Sequence, residues 1–299
     1  MENRKDKLIQ VFEDTVEYIR ENPTLSALAD ESRSETEFYP EDCYPGLPKE
    51  RNKAGVVTVT KSKSFEAAMR IRASNADWRI AVLNFASATN PGGGVKHGSS
   101  AQEESLCRCS TLYSALNSRK LWDSYYSPNR AARNPLYNDA LIYSPGVVIC
   151  KTDAQYPQRM SEKEWVTVDV LSCAAPNLRT VPGNRYNPEQ GEKVTVDNDT
   201  LYQIHNRRAR HILTVAASKD VDALILGAFG CGAFRNDPSV VAKAYRDVLG
   251  EYRRFFSLIE FAIYCRPFET ANYDAFQRSL NRMSVNFAAG DSSDGGRIV

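Results

Sequence analysis

The sequence predicts an α/β sandwich built on one mixed, largely parallel sheet. Two observations carry that reading: short aliphatic, β-branched runs alternate with helical stretches, and two glycine-rich loops each follow directly on such a run. A chain of 299 residues fits one large domain or two small ones.

The elements follow in order. Leu8, Phe12, Val16 and Ile19 share one helical face between Lys5 and Arg20, and Pro23 ends that helix. Residues 24–50 are polar and irregular, so residues 1–50 are expected to be a helical extension packed on the main domain. The main domain, 51–284, opens with a strand at Val56–Thr60 and a helix at Ser64–Ser74. A second strand, Ile80–Asn84, enters the first glycine-rich loop, and a helix covers Glu103–Leu116. Ala140–Tyr143 and Val147–Cys150 flank Ser144-Pro145-Gly146 and read as a strand interrupted by a bend, or as a hairpin, and Val166–Leu171 as another strand. A long polar loop, 176–197, precedes a helix at Thr200–Ser218. Val221–Gly227 is a buried-type strand opening into the second glycine-rich loop. Pro238–Leu249 (helix), Leu258–Tyr264 (strand) and Asn272–Arg282 (helix) complete the domain, and 285–299 is expected to be a flexible tail.

Composition narrows the function classes. Lys plus Arg is 38 against 37 for Asp plus Glu, which gives no support to a nucleic-acid-coating or membrane-surface protein. A polyanionic substrate would have to be met locally. No run approaches the ~18 apolar residues of a membrane span, and the charged start leads into no export signal. Seven scattered cysteines, without C-x-x-C, read as free thiols in a reducing cytoplasm. His97, His205 and His211 form no metal-binding spacing, so the chain is expected to use neither metal nor cofactor.

The first loop runs Asn90-Pro91-Gly92-Gly93-Gly94, then seven residues, then Gln102-Glu103-Glu104. Three glycines let backbone N–H groups approach a ligand, and asparagine amides suit sugar hydroxyls. The bland alternative is a flexible loop before a solvated acidic first turn, which the helix dipole favours. The second loop, Gly227-Ala228-Phe229-Gly230-Cys231-Gly232-Ala233-Phe234-Arg235-Asn236-Asp237, lies between a strand and a helix start, as in many pyrophosphate sites. It is not a P-loop, since no G-K-[ST] follows.

Together these motifs resemble the signatures of poly(ADP-ribose) glycohydrolases of the compact bacterial type. The resemblance implies a three-layer α/β/α macrodomain that binds ADP-ribose and hydrolyses the ribose–ribose bonds of poly(ADP-ribose). It implies Glu104 as catalytic acid/base, Glu103 orienting the scissile ribose and Gln102 supporting the loop. Asn90, Gly92, Gly93 and Gly94 would line the distal ribose pocket, and Gly230, Cys231, Gly232, Ala233 and Phe234 would wrap the diphosphate. Arg235 departs from the glycine that many relatives carry there.

A departing ribose hydroxyl needs protonation, and a glutamate that donates near neutral pH needs a raised pKa. Adjacent glutamates cannot flank a sugar ring from opposite sides, so one catalyses and one positions. The expected partners are poly(ADP-ribose) and ADP-ribosylated proteins, with no sequence-specific nucleic acid and no membrane. A monomer in the cytoplasm, or in a nucleus, fits this reading, as does a role in reversing ADP-ribosylation after DNA damage. An ADP-ribose reader, or a hydrolase of mono-ADP-ribosyl protein or nucleic acid, shares the same pocket. Outside the two loops, Arg207, Arg208, Arg210 and His211 read as a solvated helix face before a polymer-binding strip, and Tyr264 and Phe268 could stack adenine but read first as core aromatics.

Overall fold

The computed structural model describes residues 3–183 and 191–284; the tail expected from 285 lies outside them. The elements are α1 (Arg4–Glu21), α2 (Pro23–Glu35), β1 (Glu37–Tyr39), β2 (Val56–Thr60), α3 (Ser64–Ser74), β3 (Ile80–Phe85), α4 (Gln102–Cys109), α5 (Leu112–Leu116), α6 (Arg119–Leu121), α7 (Ser127–Ala132), β4 (Leu141–Ile149), β5 (Val166–Cys173), α8 (Asn198–Ser218), β6 (Ala223–Leu226), α9 (Pro238–Tyr252), β7 (Leu258–Ala262) and α10 (Ala271–Ser284). A π-helical turn, Trp122–Tyr126, joins α6 to α7.

Residues 24–50 are not irregular throughout. Asn22 closes α1 with its backbone N–H on the Tyr18 carbonyl and opens α2 by accepting the Leu25 N–H on its side chain. Pro23 thus begins a helix as well as ending one, in a first turn where its missing N–H costs little. Val16, expected on the buried face of α1, is exposed; that face runs through Thr15, whose hydroxyl donates to the Arg108 carbonyl at 2.7 Å.

The seven strands form one sheet in the order β1-β4-β5-β3-β6-β7-β2. From β5 to β2 all pairings are parallel, while β4 and β1 add an antiparallel edge. Of the two expectations around Pro145, an interrupted strand or a hairpin, the first holds: β4 is one strand whose register shifts between Ser144 and Val147. The single helix expected over 103–116 is two, because Ser110 leaves α4 to bridge Ile149 of β4.

Side chains alternate across the sheet and bury both faces. Ala81 and Leu83 of β3 join the core under α8, α9 and α10, while Ile80 and Val82 face α3, α4 and α5. That gives three layers. β3 and β6 are parallel neighbours, Ile80 opposite Ala223, so the two glycine-rich loops leave their carboxyl ends side by side. Ligands of open α/β sheets sit at such a crevice.

Candidate active site

Three consecutive side chains at the start of α4 pin the first loop. Gln102 accepts the Phe85 N–H at 2.8 Å and donates to the Leu83 carbonyl at 2.8 Å and the Ser64 hydroxyl at 3.0 Å, tying α4 to the end of β3. Glu103 accepts the Ser87 N–H at 2.7 Å and the Asn84 amide at 3.3 Å, with the Gly92 N–H as a third donor. Glu104 Oε1 accepts the Gly94 N–H at 2.9 Å.

The glycines are what let backbone and carboxylates meet. Gly93 has φ +59°, and a Cβ there would lie 2.6 Å from Glu104 Oε1 and 3.0 Å from Glu103 Oε2. Gly92, at φ +68°, turns toward Tyr113, Val95 and Cys107. The triplet is therefore a fitted cradle and the acidic pair is no solvated first turn: Glu103 is 3% exposed and Glu104 7%. Burial, and secondly the Glu104 charge, push the Glu103 carboxyl well above the usual carboxylate range despite its three donors. Glu104 Oε2 is buried with no hydrogen-bond partner among the described residues.

The second loop is braced from beneath. Asn236, 2% exposed, donates to the carbonyls of Pro176 at 2.7 Å and Phe234 at 3.2 Å, and its Oδ1 lies 2.6 Å from His205 Nε2. Burial draws the His205 pKa down to about 4, so the ring is neutral at pH 7. Gly230, at φ +78°, passes so close to Ala175 that a Cβ would sit 2.6 Å from its methyl group. Asp237 then caps α9 by accepting the Ser239 N–H at 2.8 Å. Arg235 is exposed at φ +60°, backbone that favours glycine, so a glycine there would answer a conformational demand.

Both loops line one cleft of about 1710 Å³. Asn90, Gly93, Gly94, Gln102, Glu103 and Glu104 border it from the first loop and α4, and Gly230, Gly232, Ala233 and Phe234 from the second. Two residues expected to bind do not border it. Gly92 points its Cα into the protein, and Cys231 packs on the core.

Other residues at the cleft escape the motifs. Arg179 stacks on the Phe234 ring, 5.7 Å from its centroid, and bonds Asn177 at 3.0 Å. Arg130 donates to the Thr89 carbonyl at 2.7 Å and bonds Asn90 Oδ1, orienting the Asn90 amide. Tyr264 and Phe268 are exposed and line the cleft, Phe268 at φ +67°, so neither is a core aromatic. Of the expected solvated face Arg207 is indeed exposed, but Arg208 and His211 are not part of it. Arg208 is 1% exposed, both arginines pair with Asp139, and His211 is fully buried. Among the described residues no cluster of His, Cys, Asp or Glu could hold a metal ion, and no helix is long and apolar enough to cross a membrane.

The family model for the microbial-type PARG (poly(ADP-ribose) glycohydrolase) catalytic domain matches residues 9–152. Among solved structures, the chain is similar to the poly(ADP-ribose) glycohydrolase of Deinococcus radiodurans in complex with ADP-ribose. Identity is 35% and TM-score 0.72, over 86% of this chain and 98% of that one. The enzyme of Thermomonospora curvata is 29% identical with TM-score 0.76, over 91% of this chain and 98% of that one. Its complex with the inhibitor ADP-HPD gives 28% and 0.74, over 91% and 99%. No curated protein matches the sequence.

Proposed function

This chain belongs to the microbial-type poly(ADP-ribose) glycohydrolase family, and on that premise we propose how it hydrolyses the ribose–ribose O-glycosidic bonds of poly(ADP-ribose) to release ADP-ribose. The observation that carries the assignment is the buried Glu103–Glu104 pair, with Glu104 held by the Gly94 N–H at 2.9 Å beside a cleft that also takes in the second loop.

Burial and the neighbouring charge hold a proton on the Glu103 carboxyl, and the pair shares it once substrate enters. Glu104 gives that proton to the departing ribose oxygen as the C1″–O bond breaks and its electron pair leaves with the oxygen. The anomeric carbon gains oxocarbenium character, which the nearby diphosphate stabilises. Glu104, now ionised, takes a proton from water as the water oxygen bonds to the anomeric carbon. One bond is hydrolysed and Glu104 regains its proton. A positioned general acid of this kind contributes roughly 10²–10⁴-fold.

Glu103 orients the ribose hydroxyls and Gln102 keeps the loop in register. Asn90, Gly93 and Gly94 line the ribose pocket. Gly230, Gly232, Ala233 and Phe234 wrap the diphosphate, with Gly92 and Cys231 acting from behind the cleft wall. Arg179 adds the positive charge that the near-neutral chain as a whole does not supply. Tyr264 and Phe268 offer ring faces to the base. We assign release from chain ends, because a second loop wrapped on the diphosphate would leave the polymer no path beyond it. A monomer acting on polymer and on ADP-ribosylated proteins in the cytoplasm, including their clearance after DNA damage, completes the reading. Incubation with an automodified polymerase, products resolved by length, tests it. Steady appearance of ADP-ribose is expected. Inertness toward polymer, with release only from singly modified acceptors, would contradict it.

A further inference from the structure

Arg108 lies one helical turn after Glu104 on α4 and is 2% exposed. Its guanidinium reaches neutral partners alone among the described residues: the Ser99 carbonyl at 2.6 Å and the Ser105 hydroxyl at 3.5 Å. A buried cation without a carboxylate in contact is costly unless a charge nearby offsets it. The charges facing it are few. Glu104 is on its own helix, Arg4 of α1 repels it, and the Cys107 and Cys109 thiols are pushed up by burial and stay neutral. Beyond Cys109, Lys63 and Asp153 neutralise each other at 3.2 Å. Glu104 itself faces Glu103 and the Gly94 N–H.

The contacts close a ring. Arg108 holds the Ser99 carbonyl, the Ser99 N–H donates to the Gly94 carbonyl at 3.2 Å, and the Gly94 N–H holds Glu104. We propose that Arg108 is a positioning residue for hydrolysis: its buried charge steadies the Glu104 carboxylate left after proton donation, and its tether to Ser99 fixes the loop that presents Gly94 to Glu104. This rests on Glu104 being the catalytic acid.

The test is the pH profile of polymer hydrolysis, with ADP-ribose binding measured alongside. Cleavage needs protonated Glu104, so the rate falls on the alkaline side. Removing a facing cation favours the protonated form. In Arg108→Gln the alkaline limb should therefore move up, while Arg108→Lys should keep the wild-type limb at a reduced kcat. Both should still bind ADP-ribose. An unmoved limb in a folded Arg108→Gln protein overturns the proposal. Should that variant fail to fold, Glu104→Gln reads the same coupling from the other side. It leaves the guanidinium unbalanced, so its denaturation midpoint should drop, and an unchanged or raised midpoint overturns the proposal. Wild-type-like turnover by Glu104→Gln would instead sink the catalytic reading, so the two failures are separable.

Discussion

The two glycine-rich loops leave neighbouring strands and share one cleft, yet they are held in opposite ways. The first is gripped from the side to which the proposed chemistry is assigned: Glu103 and Glu104 take N–H groups of Ser87, Gly92 and Gly94. Its tethers and its reactive groups are the same atoms. The second is gripped from behind, through Asn236 and His205, and leaves Gly232 and Ala233 exposed at the rim. Where a Cβ on Gly232 would lie, nothing is within 4 Å. Glycine therefore serves two ends here, close approach of backbone to carboxylate in one loop and bare backbone offered to an anion in the other. Damage to the first loop should fall on turnover, and damage to the second on affinity.

The largest effect of such damage is expected at Gly93. An alanine there would strain a left-handed backbone and drive a methyl group onto both carboxylates. Gly93→Ala should lose roughly 10²-fold or more in kcat, read by ADP-ribose release from polymer, with binding reduced less. Asn236→Ala should do the reverse. It strands buried carbonyls and the His205 ring, costs about 1–3 kcal/mol of stability, and raises the Kd for ADP-ribose in calorimetry more than it lowers kcat.

A third, smaller effect is acid sensitivity of the second loop's brace. His205 is held below its ordinary pKa of 6.5, at about 4, so its contribution is complete above about 6.5 and drains away as pH falls toward about 4. Denaturation midpoints at about pH 7 and about pH 5 should therefore differ more for wild type than for His205→Gln. Equal differences would break that link. The smallest change is expected for Arg235→Gly, which relieves a left-handed residue outside the cleft. It should raise stability by up to about 1 kcal/mol and leave ADP-ribose affinity alone; a marked loss of affinity would make Arg235 a ligand after all.

Legibility in the sequence followed the strength of local signals. Ser64–Ser74 has the bounds expected of it, and β2 to β7 are recognisable because aliphatic runs resist other readings, whereas the three-residue β1 lies in the stretch expected to be irregular. α2 is missed because it buries a thin face, Leu25, Ala29 and Ser32, and opens on a proline that reads as a stop. The break at Ser110 arises from pairing between segments far apart in sequence, which no local pattern records, and the same pairing decides between bend and hairpin at Pro145. At the site, the motifs point to both loops and the acidic pair. They cannot reveal that Gly92 and Cys231 turn inward, that Arg179 reaches the cleft, or that Arg130 backs Asn90 from another segment. Motif spacing reports backbone order, whereas those arginines are brought in by tertiary packing.

The most direct test pairs two readouts on Glu104→Gln. The amide keeps the shape of the side chain and its acceptor for the Gly94 N–H, but has no proton to give. ADP-ribose should bind with near wild-type affinity while release from polymer falls by roughly 10²–10⁴-fold or more. Turnover close to wild type, or binding and turnover lost together, would contradict Glu104 as the group that delivers the proton.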